Sequence, residues 1–269
     1  MRWRFCVTAA LAAALSASAV AQSRRASRSG SDWCNDGGGG GRQYRHCEVR
    51  ESTVQGLNPL DIDAGRNGGI QVHGWDRADV HVRAKIVGYG ETDAEARRLV
   101  AGVRIEATST SIRSDGPDSS GDGGWSVSFD VDVPRNQMIT LHTINGGIAI
   151  DDFRGTAKFQ ARNGGISLTN VGGDIRGGTT NGGIRVNLEG DRWDGAGLDV
   201  ETRNGGVSMT VPENYSASLE TGTVNGRINV DFPVTVQGRL NRQLTTTLGS
   251  GGAKLRAMTT NGGVTIRRR

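Results

Sequence analysis

Residues able to do chemistry are few in this chain, and they are scattered. Asp191 and Asp194 flank Trp193. Two carboxylates brought close together are the apparatus of glycoside hydrolysis, and an indole between them could stack on a sugar ring. Asp151-Asp152 is a second acidic pair. A solvated loop with the tryptophan folded over an edge of the fold is the favoured account of Asp191, Trp193 and Asp194. No nucleophile, partner base or metal ligand stands beside them in the sequence to hold a catalytic geometry. They are therefore carried as a candidate glycan site, and no catalytic residue is assigned. His46, His73, His81 and His142 form no His-x-x-x-His or Cys-His cluster, so no metal site and no cofactor is expected. The acidic calcium nonapeptide of β-rolls and the Gly-x-Ser-x-Gly elbow are both absent. The many Gly-Gly pairs do not open a helix in a βαβ unit, so they are not phosphate loops.

The first 21 residues have the form of a signal peptide. Arg2 and Arg4 precede an apolar, alanine-rich run, and Ala19-Val20-Ala21 supplies the small-x-small cleavage pattern. The run is too short for a membrane span, and no other segment is apolar enough to be one. The expected location is the periplasm or the cell surface. Cys34 and Cys47 are the two cysteines beyond this leader, and an even pair in an exported chain reads as a disulfide. It would close a loop containing the glycine run 37–41, a constraint worth about 2–3 kcal/mol in an unstrained geometry.

Taking Arg2 and Arg4 from the 32 Lys and Arg leaves 30 basic residues against 28 Asp and Glu. A nearly balanced mature chain has no electrostatic case for nucleic acid. The arginines at 24–25 and 267–269 read as solvated ends. An aromatic content of 5% argues against a long stacking groove for glycans or single strands.

The elements that must position these residues are set by a repeat. Asn-Gly recurs at Asn67, Asn145, Asn163, Asn181, Asn204, Asn225 and Asn261. Thr stands two residues earlier in five copies, with Ala161 and Gly65 in the others. Apolar residues stand three and five residues later, as in Ile148 and Ile150 or Ile166 and Leu168. Such a phrase makes a structural corner followed by a strand with one buried face. Positive φ is the expected reason for Asn-Gly, and a hydroxyl bond across the turn is the expected use of the Thr. The spacing of 18 residues from Asn145 to Asn163 and again to Asn181 holds two short strands and two turns. Later spacings stretch, with an insertion around 191–195 and a degenerate copy at 249–255.

An antiparallel meander with Asn-Gly hairpins and a β-solenoid both fit the arithmetic. The solenoid is favoured because Asn, Thr and both apolar sites recur together, as they must when each copy stacks on its own kind. The expected organisation is a signal peptide at 1–21 and a disordered Gly/Ser/Arg-rich leader at 22–47. Strands at 48–134 then run on into the repeat solenoid at 135–269. One short α-helix is expected near 93–101, from a capping box at Thr92 to Glu95 and a stripe of Ala96, Leu99 and Val100. Trp125 to Val133 alternates as a strand that ends at Pro134.

Thr143-Ile144-Asn145-Gly146-Gly147-Ile148, Thr223-Val224-Asn225-Gly226-Arg227-Ile228 and their sister copies resemble a bacterial family of unknown function that carries the name adhesin. Its members are exported and repeat Thr-Val-Asn-Gly. The order of leader, strands, short helix, Val-Pro element and repeats also agrees. The resemblance implies an all-β, right-handed, parallel β-helix-like solenoid at the envelope, with no catalytic residues to transfer. It implies a non-enzymatic binding or scaffolding role, with an unidentified envelope protein or glycan as partner. A carbohydrate-active β-helix enzyme and an accessory subunit of an envelope complex are the alternatives.

Overall fold

The computed structural model describes residues 30–35, 44–118, 123–233 and 242–269. The expected signal peptide and the glycine run 37–41 lie outside the described residues. The rest is a β-solenoid of two ten-stranded sheets, parallel over its repeats. Each coil contributes one strand to each sheet, with Asn-Gly at the corner between them. In chain order, coil 1 is Leu60–Asp63 with Ile70–Trp75, and coil 2 is Met138–Asn145 with Ile148–Asp151. Coil 3 is Thr156–Asn163 with Ile166–Thr169, and coil 4 is Asp174–Asn181 with Ile184–Asn187. Coil 5 is Gly197–Asn204 with Val207–Val211, and coil 6 is Ala217–Asn225 with Ile228–Val230. Coil 7 is Lys254–Asn261 with Val264–Arg268. Second strands build sheet I and first strands build sheet II.

Stacking is in register. Ile148, Ile166, Ile184 and Val207 are neighbours on successive coils, and all are buried. From sheet II, Leu141, Phe159, Val200 and Leu255 close the core against them. Phe159 is accommodated because its neighbour on coil 4 is Gly177, where a Cβ would come within 2.5 Å of the ring.

The Asn-Gly corner works by contact between coils. Each Asn side chain donates from Nδ2 to the Asn Oδ1 of the adjoining coil, at 2.7–3.1 Å, in one unbroken ladder from Asn225 through Asn261, Asn204, Asn181, Asn163 and Asn145 to Asn67. Such ladders are a recurrent feature of stacked parallel strands. The Thr hydroxyls do not bond across their own turn. Thr143, Thr179, Thr202, Thr223 and Thr259 each donate to a glycine carbonyl of the neighbouring coil at 2.6–2.8 Å. The expected positive φ is corrected at most corners: none of the seven Asn has it, and neither do Gly146, Gly164, Gly182, Gly205 or Gly226, while Gly68 (φ 152°) and Gly262 (φ 155°) do. Glycine is needed there because a Cβ on Gly164 would lie 1.9 Å from the Gly146 carbonyl oxygen, with similar clashes along the row. The left-handed residues other than glycine are at the opposite corner. Asp152 (φ 56°) and Asn170 (φ 50°) are linked there by an Asn170 Nδ2 to Asp152 Oδ1 bond of 2.6 Å.

Coil order departs from chain order at one end. Coil 7 lies between coils 5 and 6, paired in parallel with both. The segment Gln243–Leu248 pairs antiparallel with coil 6 on its outer side, so the chain passes beyond coil 6 before returning. The stretch 249–255, expected as a degenerate copy, is a turn through 253 followed by the first two residues of coil 7.

At the other end, Gly124–Pro134 pairs in parallel with coil 1, followed antiparallel by Asp79–Gly90 and then Tyr44–Gln55. The expected helix is present at Asp93–Gly102. Thr92 Oγ1 accepts from Glu95 N–H, while Glu95 returns its bond to Glu91 N–H rather than to Thr92. A second helix, not expected, spans Gly30–Asn35. Within the stretch expected as a disordered leader, that helix and the strand beginning at Tyr44 are thus ordered. The Cys34–Cys47 disulfide joins them, with Cα atoms 5.8 Å apart.

Candidate functional site

A strand with its inner face in the core turns alternate residues outward. On sheet I the outward positions just after each corner are the second glycines, Gly69, Gly147, Gly165, Gly183, Gly206 and Gly263. Two residues further on, the row reads Gln71, Ala149, Ser167, Arg185, Ser208 and Thr265, each beside the next in the sheet. A run of absent and short side chains leaves an open trough of about 890 Å³ across the coils. Six strands at ~4.8 Å spacing make it ~24 Å long. Its floor is peptide backbone that is already paired: Ile148 N–H donates to Gly165 O (3.0 Å) and Ile166 N–H to Gly183 O (2.9 Å), and the pattern continues along the row. Trp33 borders the trough at the coil 1 end, and Arg185 and Arg267 line its other half. In coil 6 the glycine position is taken by Arg227, whose carbonyl accepts from Val264 N–H. Among the described residues, no carboxylate lines the trough.

Beyond coil 1 the outer face of sheet I is charged and internally paired. Arg83 bonds Asp130 at 2.6 Å. His73 lies 3.5 Å from Asp130 on one side and from Asp151 on the other. His81 lies 3.4 Å from Asp132 and 3.5 Å from Glu51. Trp33 sits over this floor, its ring 5.9 Å from the Arg83 guanidinium and 5.6 Å from the Lys85 ammonium. The disulfide at the adjacent Cys34 holds that position. Among the described residues, no group of three or more His, Cys, Asp and Glu is arranged to hold a metal ion.

The candidate glycan site is built differently from the trough. Trp193 is buried and donates its indole N–H to the Gly173 carbonyl at 3.0 Å, so its ring packs under the coil 4–5 connection. The backbone carbonyls of Asp191 and Asp194 accept from Ser216 and Gly173. A buried indole offers no face to a sugar. Asp152 is engaged with Asn170, and Asp151 faces His73. Nearby, burial pushes the Tyr215 phenol up to about 12, so it holds its proton at any ordinary pH. The Asn residues of the corners form the ladder already described.

Sequence reasoning missed the trough and the His73 network. The signal for the trough was the second glycine of Asn-Gly-Gly, which sits outside the corner and faces out. The signal for the network was the set of alternate residues His81, Arg83 and Lys85 opposite Asp130 and Asp132.

Two parallel-rich sheets, an Asn ladder and a glycine-floored outer face define a β-solenoid with a repetitive, flat exterior. The chain belongs to the Toastrack DUF4097 family, whose profile matches residues 119–267. Comparison with curated proteins finds no match. Among solved structures, the chain is similar to a putative cell adhesion protein from Clostridium sporogenes. They share 10% identity and a TM-score of 0.45, over 82% of this chain and all of that one. It is also similar to a putative adhesin from Bacteroides fragilis (14%, TM-score 0.31, 83% and 97% covered). A third is a putative lipid binding protein from Parabacteroides distasonis (11%, TM-score 0.31, 83% and 96% covered). These are likenesses in layout, and no ligand is carried over from them. Among the described residues, no helix is long and apolar enough to cross a membrane.

Proposed function

We propose that this is an exported, non-enzymatic protein of the bacterial envelope or cell surface that binds or scaffolds through the outer face of sheet I. The observation that carries the reading is the trough. It is an open, continuous channel across six coils, backed by a rigid in-register core, with its floor glycine carbonyls accepting hydrogen bonds from the adjoining coil. A surface of that kind loses little conformational entropy on binding, because its parts are fixed before the ligand arrives. The signal-peptide form of residues 1–21 supports export.

The test is sedimentation of the mature protein with isolated bacterial envelopes, comparing the parent with a Ser167→Tyr, Ser208→Tyr double variant. Both serines are outward-facing on the floor, so the tyrosines fill the trough without entering the core. Saturable binding that weakens at least 30-fold in the variant, with an unchanged denaturation midpoint, is expected. Equal binding by the two proteins contradicts the reading. So does release of product from envelope polysaccharides, since the reading requires binding without turnover.

A further inference from the structure

We infer that the ligand of the trough is an acidic polysaccharide, held by Arg185 and Arg267, with Trp33 at the far end; this rests on the reading that the trough is the binding face. Charge is the first argument. Among the described residues, Arg185 and Arg267 have no acidic partner and no carboxylate lines the floor beside them, whereas on sheet II Arg176, Arg256 and Lys254 are paired with Asp174 (2.7 Å), Asp199 (2.6 Å) and Glu220 (2.5 Å), and the open cations Lys158 and Arg203 share their face with those carboxylates. A guanidinium left open beside an uncharged floor is matched by a carboxylate or sulfate, which it can bind through two parallel N–H donors.

The floor narrows the class further. An extended peptide adds to a sheet by pairing with free strand amides. Here the floor carbonyls at Gly165, Gly183, Gly206 and Gly263 already accept from the next coil at 2.9–3.0 Å, and the trough runs across the strands, not along an edge. A docked peptide would keep its own amides unpaired. An acyl chain requires walls that enclose most of its surface, whereas this trough is open along its length. A sugar chain satisfies both conditions. Its hydroxyls exchange hydrogen bonds with Ser167, Ser208 and Thr265, its exposed side stays in water, and Trp33 offers a ring for stacking at one end.

The test is affinity electrophoresis of the mature protein in native gels cast with polygalacturonate, with alginate or with neutral dextran. The acidic polymers should retard the parent protein and dextran should not. An Arg185→Glu, Arg267→Glu variant should lose at least tenfold in apparent affinity. An Arg176→Glu, Arg203→Glu variant, with the same change in net charge on sheet II, should stay within twofold of the parent. Trp33→Ala should weaken binding about threefold. Retardation by dextran equal to that by the acidic polymers overturns the inference, and so does an equal loss in both Glu pairs or no retardation at all. If none is seen while the tyrosine-filled variant still loses envelope binding, the trough remains the binding face and only the polysaccharide assignment falls. If the tyrosine-filled variant binds envelopes normally, both fall.

Discussion

The two outer faces of this solenoid are made by the same coils, yet they carry charge in opposite ways. On sheet II, Arg176, Arg256 and Lys254 are paired with Asp174, Asp199 and Glu220, and the open cations Lys158 and Arg203 stand on a face that also carries those carboxylates. The row from Arg176 to Asp199 to Arg256 is a chain of neighbours, and the Asp199 and Asp174 carboxylates keep the two guanidinium groups protonated beyond their ordinary range. On sheet I the trough replaces carboxylates with glycine and small residues and leaves its arginines open. A face that mixes cations with carboxylates offers an anion little net attraction. A face with exposed cations and no carboxylate beside a smooth channel attracts an anion. The repeat fixes where side chains can point, and the outward positions, free of packing, are where the faces diverge.

Some substitutions should destroy both faces together. Gly164→Val is expected to have the largest effect, because its Cβ would lie 1.9 Å from the Gly146 carbonyl and the coils could not stack. A loss above ~4 kcal/mol, or no folded protein, is expected in urea denaturation. A midpoint close to the parent's would mean that coil-to-coil contact is not what the corner requires. Ile166→Ala should cost about 2–4 kcal/mol by opening a cavity between coils 2 and 4. With its midpoint lowered but the fold retained, it should bind envelopes as the parent does; a proportional loss of binding would make the trough a reporter of stability rather than a site.

The smallest effect belongs to sheet II. Lys254 holds the Glu220 carboxyl below its ordinary value through a direct hydrogen bond, partly opposed by desolvation. A lowered folded value contributes stability above the unfolded pKa and loses it as pH falls through the folded one. Glu220→Gln should therefore flatten the acid limb of the stability profile slightly and leave neutral-pH binding on sheet I untouched. The pair is solvent-facing, so the change should stay below ~1 kcal/mol. An unaltered acid limb would remove this pair from the account.

How much of this was legible depended on who each residue's neighbour is. The apolar sites at Ile148, Ile166 and Ile184 could be placed because each stacks on its own kind, and parallel in-register pairing repeats the same demand on every coil. The single change of period at 93–102 likewise marked the helix. The cause of the Asn-Gly signature was not legible. A tight turn and a close inter-coil approach both select glycine, and only the φ values and the 1.9 Å approach at Gly164 separate them. Coil order was hidden for a related reason: the Asn225 and Asn261 copies are both compatible with the coil bearing Asn204, so spacing cannot say which one docks there. Trp193 shows the limit for sites. An aromatic between two acids reads as a sugar platform until burial turns its indole N–H towards Gly173. The trough needed six coils to be assembled before single glycines became a surface.

The measurement that bears most directly on the trough as the binding face is hydroxyl-radical footprinting of the mature protein, free and bound to isolated envelopes, read by mass spectrometry. Trp33 at the end of the sheet I trough and Met258 on the outer face of sheet II are half-buried, oxidation-prone reporters of the two faces. The account predicts that bound protein is protected at Trp33 and unchanged at Met258. Protection at Met258 with Trp33 still reactive would contradict it.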